Sequence, residues 1–303
     1  MTKPLPSINL KNLVRQVITE QRHSYILESP RALEEGVYDP AILKAVFTAG
    51  GPGSGKSFTA DAIFGARGPK GKPYFENASF LGGGLKYINS DRFFEKELEK
   101  AGIDPGDLAK IEKEDPELWN KIQGRSPESL RSIAKGNLET LRKFLEVGRL
   151  GLMIDGTGRD FDKMAREKAR AEELGYDTFM IFVDTSLPVA LERNAKRERV
   201  LPEKSVKDLW QQVQDNKDRY EALFGDNFVI VDNTKYGPPP QEVVKALNRF
   251  VQEPVQNPAG QAWMENELTK KKDKERHLSV YRHQRPFSKR RFCNFPYRRR
   301  QYY

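Results

Sequence analysis

The chain has 303 residues with a formal net charge of +9, and 31% of its residues are charged. This length is enough for one large domain with appendages or for two small ones. The single cysteine, Cys293, excludes an internal disulfide framework. No signal-like apolar segment follows the first residues and no run of about 18 apolar residues occurs, so we expect a cytoplasmic protein without membrane contact.

The N-terminal part, residues 1–44, contains short amphipathic pieces. In Leu10–Ile18 the apolar residues recur at helical spacing. We expect a helical cap that packs on the following domain, although a helix that binds a partner fits the same pattern. The main domain is expected to cover residues 45–253.

A β-prone run, Ala45–Ala49, breaks into the sequence Gly-Gly-Pro-Gly-Ser-Gly-Lys-Ser. Its spacing fits the pattern G-x-x-x-x-G-K-[ST] of a phosphate-binding loop, in which backbone N–H groups and the start of the next helix surround a polyphosphate. Lys56 would reach the β- and γ-phosphates, and the Ser57 hydroxyl would ligate Mg²⁺. The predicted nucleotide-binding residues are Gly50, Gly51, Pro52, Gly53, Ser54, Gly55, Lys56, Ser57 and Phe58.

A Gly- and Pro-rich segment at 65–84 predicts a surface loop, and residues 85–91 then predict a strand that delivers Asp91. In parallel sheets, groups at the carboxyl ends of strands line the ligand crevice. Asp91 therefore has two interpretations. It caps the helix that starts at Arg92, or it is the base that receives the proton of an acceptor hydroxyl.

A long amphipathic helix is predicted for residues 127–147, with Ser126 as its N-cap. The apolar run 150–155 then ends in Asp155, as a Walker B strand does, and such a strand places its carboxylate near the outer shell of the metal. Ser57 and Asp155 are therefore the predicted metal-binding residues.

The loop above this strand carries Thr157 and Arg159. A hydroxyl and a guanidinium at this place can hold an acceptor substrate. Arg159 fits the description of an ordinary solvated surface arginine equally well.

The alternation of helices and strands continues through the rest of the domain. Helices are predicted at 160–174, 188–199, 203–224 and 240–251, and strands at 178–184 and 228–233. Strands that alternate with helices in this way predict an α/β fold with a parallel, doubly wound sheet.

Basic residues, among them Arg193 and Arg197, are crowded at the end of the helix predicted at 188–199. Such a group of like charges repels itself unless an anion is present. A lid that closes over ATP would supply the anion, and its arginines would neutralise charge on the transferring phosphoryl group. The alternative is an ordinary basic helix C-terminus, which the helix dipole favours.

Four segments together resemble the zeta-toxin and polynucleotide-kinase branch of the P-loop kinases. They are residues 50–57, Asn89–Asp91, Ile154–Arg159 and Arg193–Arg197. The resemblance spans about residues 45–233 and implies the three-layer P-loop NTPase sandwich, with a five-stranded parallel sheet in the order 2-3-1-4-5.

The same resemblance implies ATP-dependent phosphoryl transfer with Mg²⁺ to a hydroxyl acceptor. Thr157 and Arg159 would lie beside the acceptor, and Asp91 would be the base. The lid arginines Arg193 and Arg197, or Arg199 in place of Arg197, would face the γ-phosphate. The implied catalytic residues are Lys56, Asp91, Arg193 and Arg197.

Two acceptor classes stay open within this branch. Zeta toxins phosphorylate an amino-sugar nucleotide, whereas polynucleotide kinases phosphorylate a nucleic-acid 5′-hydroxyl. A P-loop ATPase without an acceptor is a third possibility, although no hydrolytic-glutamate motif accompanies Asp155. The chain as a whole resembles zeta-type kinases of tailed phages, which would place it in the cytoplasm of a host cell.

The basic tail, residues 254–303, is expected to be disordered. Thr269–Tyr303 carries 13 Lys/Arg against 2 Asp/Glu, a net +11 that leaves −2 for the rest of the chain. Aromatic residues are interleaved with these cations, which suits single-stranded nucleic acid through phosphate neutralisation and base stacking. A solvated tail without a partner fits the same composition.

Overall fold

The computed structural model describes residues 36–64, 84–197, 200–235 and 237–283. Within these ranges one five-stranded sheet is present. Its strands are β1 (Lys44–Ala49), β2 (Lys86–Ile88), β3 (Leu152–Asp155), β4 (Asp177–Asp184) and β5 (Phe228–Asp232). All neighbours pair in parallel, in the order β2-β3-β1-β4-β5. The predicted sheet order is therefore confirmed.

The central strands are buried on both faces, as a parallel sheet covered by helices requires. Every residue of β1 is buried, and so are the six inner residues of β4. Val46 of β1 lies opposite Met153 on one side and Phe179 on the other. The carboxyl ends of β1, β2 and β3 consequently lie next to one another at one edge of the sheet.

Helices cover both sides of the sheet, which confirms the predicted α/β sandwich. In chain order they are α1 (Lys56–Phe64), α2 (Ser90–Lys100), α3 (Leu108–Glu114), α4 (Pro116–Gln123), α5 (Leu130–Val147), α6 (Phe161–Glu173), α7 (Leu187–Ala195), α8 (Glu203–Asp215), α9 (Lys217–Phe224), α10 (Gln241–Gln252) and α11 (Pro258–His283). Short 3₁₀ turns occur at Gly36–Tyr38, Pro105–Asp107 and Gly225–Asn227.

Two apolar clusters hold these layers together. The first joins strand residues such as Ile181 to α10 through Leu247. The second joins Phe94 and Leu98 of α2 to Leu130 of α5. Burial of each such side chain stabilises the fold by about 1.5–3 kcal/mol. Because α2 packs on α5, the first turns of these two helices are held close together.

The helix predicted from residue 127 begins one turn later than expected. Ser129 is the N-cap of α5, and its hydroxyl accepts a hydrogen bond from the Ser132 backbone N–H at 3.2 Å. The predicted cap, Ser126, instead closes a turn in which its carbonyl accepts from Ser129 N–H at 3.0 Å. The prediction was wrong because two serines three residues apart both satisfy the pattern of a capping residue.

The helix predicted at 203–224 is two helices, α8 and α9, which meet at Asn216. The buried Asn216 amide donates to the carbonyls of Gly158 at 3.1 Å and Arg159 at 2.9 Å. No Gly or Pro interrupts residues 203–224, so the sequence carries no local signal for this break.

In the described residues the tail forms a helix, α11, which runs from Pro258 to His283. The expectation that the tail is disordered in solution stays a prediction. The Asn257 side-chain oxygen accepts from Ala259 N–H at 3.0 Å and so caps the helix. Pro258 follows at the first helical position, where its missing N–H costs nothing. The remaining tail residues 284–303, residues 1–35 of the predicted cap and residues 65–83 of the predicted loop lie outside the described residues.

The chain divides into two units, Met1–Trp263 and Met264–Tyr303. The first contains the sheet and helices α1 to α10. The described part of the second is helical as far as His283. In the described ranges, no helix combines the length and the apolar character needed to cross a membrane.

Candidate active site

The predicted phosphate-binding loop connects β1 to α1, and its backbone depends on glycine at two positions. Gly53 has φ +79° and Gly55 has φ +84°, a region that L-residues rarely adopt. A Cβ on Gly53 would lie 2.5 Å from the Ala190 carbonyl oxygen, and one on Gly55 would lie 2.2 Å from Asn233 Nδ2. The loop therefore needs glycine at these two positions for two reasons: the backbone has positive φ, and Ala190 and Asn233 leave no space for a side chain.

Two side chains connect this loop by hydrogen bonds to α7 and to the end of β5. Asn233, which follows β5 and is 4% exposed, donates through Nδ2 to the Ser54 carbonyl at 2.7 Å. Arg193 of α7 donates to the Asn233 carbonyl at 2.8 Å and to the Gly53 carbonyl at 3.3 Å. The guanidinium of Arg193, expected at the γ-phosphate, thus binds backbone carbonyls of the loop and of the segment after β5.

Lys56 begins α1, and its Nζ donates to the Gly50 carbonyl at 2.7 Å. Burial lowers the pKa of Lys56 below its usual value; the charge of Asp155 opposes this shift, the charge of Arg197 adds to it, and that of Asp91 opposes it. The Lys56 amine therefore interacts electrostatically with three other predicted site residues, Asp155, Arg197 and Asp91.

Asp155, at the end of β3, is held by three side chains. Thr48 donates to one carboxylate oxygen at 2.8 Å. Tyr87 and Asn89 donate to the other at 3.1 Å and 2.7 Å. Burial, followed by the charge of Asp155, raises the pKa of the Tyr87 hydroxyl. Asn89 Nδ2 also donates to this hydroxyl at 2.9 Å, so Tyr87, Asn89 and Asp155 form one hydrogen-bonded group.

Asp91 lies in the first turn of α2 with an exposed side chain. Its alternative role as the helix cap is wrong, because Asn89 is the N-cap and accepts from the Asp91 backbone N–H at 2.7 Å. Arg131, at the start of α5, forms an ion pair with Asp91 at 2.9 Å and stacks 4.8 Å from the centre of the Phe94 ring. The carboxylate of Asp91 therefore does not cap the helix, and it faces the guanidinium of Arg131.

The predicted acceptor loop after β3 is attached directly to the phosphate-binding loop. The Thr157 carbonyl accepts from Gly50 N–H at 3.1 Å, and the side chains of Thr157 and Arg159 are exposed. Gly158 has φ +77°, and its carbonyl accepts from the Tyr220 hydroxyl at 2.9 Å. The structure therefore fixes the backbone of this loop and leaves its two predicted side chains accessible.

The basic segment after α7 is only partly described. The helix ends at Ala195 instead of residue 199, and Arg197 follows it with an exposed side chain. Arg199 lies outside the described residues. Trp210 of α8 lies near the phosphate-binding loop: a Cβ on Gly51 would be 3.5 Å from Trp210 Cα, and the indole N–H donates to the Thr185 carbonyl at 2.8 Å.

The residues present fit a nucleotide with its metal. The Ser54 hydroxyl is buried beside Gly50 and, within the described part of the chain, has no hydrogen-bond partner, so a phosphate oxygen would suit it. Ser57 is exposed and Asp155 is half-buried. Their oxygens are the hard ligands that Mg²⁺ takes together with substrate phosphates and water. Phe58, also predicted at the nucleotide, is half-buried on α1.

Sequence reasoning named candidate charged groups but missed amides, hydroxyls and a guanidinium that contact these groups or the neighbouring loops. The missed residues are Thr48, Tyr87, Asn89, Arg131, Asn216 and Asn233. Asn89 and Asn233 had one available signal, because each directly follows a strand at the carboxyl edge of the sheet. The other four positions carry no pattern of their own.

No family model matches the chain, and no curated protein matches it. Among solved structures, the chain is similar to one from the PezAT chromosomal toxin–antitoxin system of Streptococcus pneumoniae, with 15% identity, coverage of 81% of this chain and 95% of that chain, and a TM-score of 0.44. It is also similar to a gluconokinase from Sinorhizobium meliloti, with 15% identity, coverage of 76% and 98%, and a TM-score of 0.35. A shikimate kinase from Aquifex aeolicus shows 17% identity, coverage of 69% and 96%, and a TM-score of 0.35.

Proposed function

We propose that this chain is an ATP-dependent phosphotransferase that moves the γ-phosphate of ATP to a hydroxyl of a nucleotide, sugar nucleotide or nucleic acid. One observation carries the proposal. A glycine-dependent phosphate-binding loop with Lys56, a fixed carboxylate at Asp155 and an exposed carboxylate at Asp91 stand at the carboxyl ends of three neighbouring strands. This arrangement supplies a phosphate site, a metal site and an acceptor base at one sheet edge.

Lys56 and the loop backbone bind and orient the polyphosphate in this proposal. The loop from Gly50 to Ser57 offers backbone N–H groups at the start of α1, where the helix dipole favours an anion. Lys56 exchanges its bond to the Gly50 carbonyl for phosphate oxygens. Arg193 holds the loop in place from behind, and Arg197 neutralises charge on the phosphoryl group from the segment after α7.

Ser57 and Asp155 are the residues proposed to hold Mg²⁺. Bound MgATP supplies the transferable phosphoryl group together with a divalent charge that stabilises it. The three hydrogen bonds to Asp155 keep its carboxylate in one orientation. Asp155 therefore needs little reorganisation when the metal binds.

Asp91 is proposed to orient the acceptor hydroxyl and to accept its proton. Its side chain is 68% exposed, so an acceptor can reach it. Thr157 and Arg159, exposed on the neighbouring loop, are proposed to contact the acceptor. Catalysis in this scheme comes mainly from positioning and charge.

The test is transfer from γ-labelled ATP to a mixture of 5′-hydroxyl oligonucleotides, nucleosides and sugar nucleotides. We expect label on one acceptor class. Lys56→Ala should remove the transfer without unfolding the protein. Asp91→Asn should lower it by about 10²- to 10⁴-fold, the usual contribution of a general base, while ATP binding is retained.

Asp162→Asn is a matched control for Asp91→Asn. Asp162 also lies in the first turn of a helix, is 75% exposed and faces an arginine, Arg219, at 3.6 Å. This variant should transfer at the wild-type rate. Release of free phosphate at equal rates from wild type and Asp91→Asn, without a labelled acceptor, would contradict the proposal and identify an ATPase.

A further inference from the structure

One side chain joins the proposed base to the proposed metal-binding carboxylate. Asn89 follows β2 and caps α2: its Oδ1 accepts from the Asp91 backbone N–H at 2.7 Å. Its Nδ2 donates to Asp155 at 2.7 Å and to the Tyr87 hydroxyl at 2.9 Å. Both the oxygen and the nitrogen of this planar amide therefore form hydrogen bonds.

The orientation of this amide is fixed by its partners. A backbone N–H can only donate and an ionised carboxylate can only accept, so reversing the amide would break both bonds to Asp91 and Asp155. The sheet register supports the same geometry, because Ile88 pairs with Ile154 and Asn89 therefore follows opposite Asp155. The bridge is a consequence of strand pairing and not of a flexible loop.

Capping alone does not explain asparagine at this position. A serine, threonine or aspartate would supply the oxygen that the start of α2 needs. The bond to Asp155 requires in addition a donor atom separate from the capping oxygen and farther along the side chain, which the single short hydroxyl of serine or threonine does not supply. Among the good N-cap residues, only asparagine combines a capping oxygen with an amide donor.

We propose that Asn89 is a positioning residue that sets the distance and direction between Asp91 and Asp155. The inference rests on the proposed function and extends it. Phosphoryl transfer requires base and metal to be aligned with the same reacting group, and a misplacement of about 1 Å can cost on the order of 10²-fold in rate. Asn89 links the backbone N–H of Asp91, and with it the start of α2, to the Asp155 carboxylate.

Two substitutions separate bridging from capping. Asn89→Ser keeps a capping oxygen but loses the separate amide nitrogen that donates to Asp155, because its one short hydroxyl is both donor and acceptor. Asn89→Asp also keeps the cap and puts a second carboxylate against Asp155. In both variants kcat should fall by about tenfold or more, while the KM for ATP, measured at saturating Mg²⁺, changes by less than about twofold because the phosphate-binding loop is untouched.

Asn257 offers a matched control for both changes. It also caps a helix through its side-chain oxygen and bridges through Nδ2, which donates to the Glu172 carbonyl at 2.9 Å. Asn257→Ser and Asn257→Asp should lower thermal stability by a similar amount and leave kcat unchanged. Wild-type kcat in both Asn89 variants would overturn the proposal, as would equal losses of kcat in the Asn257 variants.

A binding measurement keeps the inference testable apart from the reaction. Asn89→Ser should raise the Mg²⁺ concentration needed for tight ATP binding, measured by calorimetry, by several-fold because Asp155 loses one of its orienting bonds. Asn257→Ser should not. If the wild-type chain transfers no phosphate, the proposed function fails, but an unchanged Mg²⁺ requirement in Asn89→Ser is what would overturn the bridge.

Discussion

Arg193 and Asn233 form a latch behind the phosphate-binding loop. Arg193 donates to the Asn233 carbonyl at 2.8 Å, and the Asn233 amide donates to the Ser54 carbonyl at 2.7 Å. The loop therefore does not depend on its own turns alone. It is held in one conformation by α7 and by the residue that follows β5.

Gly55→Ala should open this latch. The new Cβ would lie 2.2 Å from Asn233 Nδ2 at a residue with φ +84°, so the clash adds to the backbone strain. Gly102→Ala is the matched control, because Gly102 has φ +68° with nothing within 4 Å of an added Cβ. We expect Gly102→Ala to lower the free energy of unfolding by about 1–2 kcal/mol and to leave ATP affinity unchanged.

The same measurements on Gly55→Ala should show a larger stability loss and at least tenfold weaker ATP binding. Urea unfolding gives the stability, and calorimetric titration with ATP gives the affinity. Equal stability losses in the two variants, with equal ATP affinity, would show that the latch does not organise the loop.

The sheet order was predicted from the resemblance to the P-loop kinases, and the segments that carry this resemblance leave local signals. The loop pattern from Gly50 to Ser57 and the apolar strand ending in Asp155 can be recognised without any knowledge of long-range contacts. Strands that alternate with helices predict a parallel, doubly wound sheet, since parallel crossovers have a fixed hand, but they do not give the order of its strands.

The supporting contacts could not be predicted in the same way. Asn233 binds Ser54 across 179 positions of sequence, and Asn89 binds Asp155 across 66. Such bonds depend on strand register and helix placement, which the pattern of single residues does not specify. The break at Asn216 likewise exists because a buried amide holds a loop that is distant in sequence.

The ion pair between Arg131 and Asp91 should affect catalysis more than stability. At 24% and 68% exposure these side chains form a partly solvated pair, which contributes at most about 1 kcal/mol to stability. Arg131→Gln should nevertheless lower kcat several-fold, because Asp91 then loses the partner that orients it. Unfolding curves and transfer rates together check both statements.

Arg219→Gln provides the comparison for Arg131→Gln. Arg219 also pairs with an exposed aspartate in the first turn of a helix, and it also stacks on a phenylalanine, 3.8 Å from the centre of the Phe161 ring. Arg219 also donates to Asn216 Oδ1 at 3.0 Å. We therefore expect a larger loss of stability than in Arg131→Gln and a smaller loss of transfer rate. A transfer rate that is equally reduced in both variants would mean that the effect of Arg131 is not specific to Asp91.

Trp210 should report nucleotide binding through its fluorescence. Its backbone and indole lie within 4 Å of the position that a Cβ on Gly51 would occupy, and its N–H is fixed on the Thr185 carbonyl. Polyphosphate in the loop changes the charge beside the indole. We expect ATP to change the emission of the wild-type chain and of Trp119→Phe, but not of Trp210→Phe. A full response in Trp210→Phe would place the nucleotide away from this loop.

Lys56 should make the affinity for ATP fall as the pH rises through the alkaline range. Burial lowers its pKa from the ordinary value of 10.5, so between the lowered value and 10.5 the unfolded chain binds more protons than the folded one. In that window the free energy of unfolding of the nucleotide-free protein therefore rises with pH. Bound phosphates favour the charged amine, so ATP binding in the same window should take up a proton, and affinity should fall as pH rises.

Calorimetry in two buffers of different ionisation enthalpy measures this proton uptake directly. Lys56→Arg is the informative variant, because a guanidinium stays protonated across the window. Its ATP affinity should be lower than that of the wild type but nearly independent of pH up to 10.5. Proton uptake of the same size in Lys56→Arg would show that another group titrates and that the buried amine of Lys56 is not the one that ATP recharges.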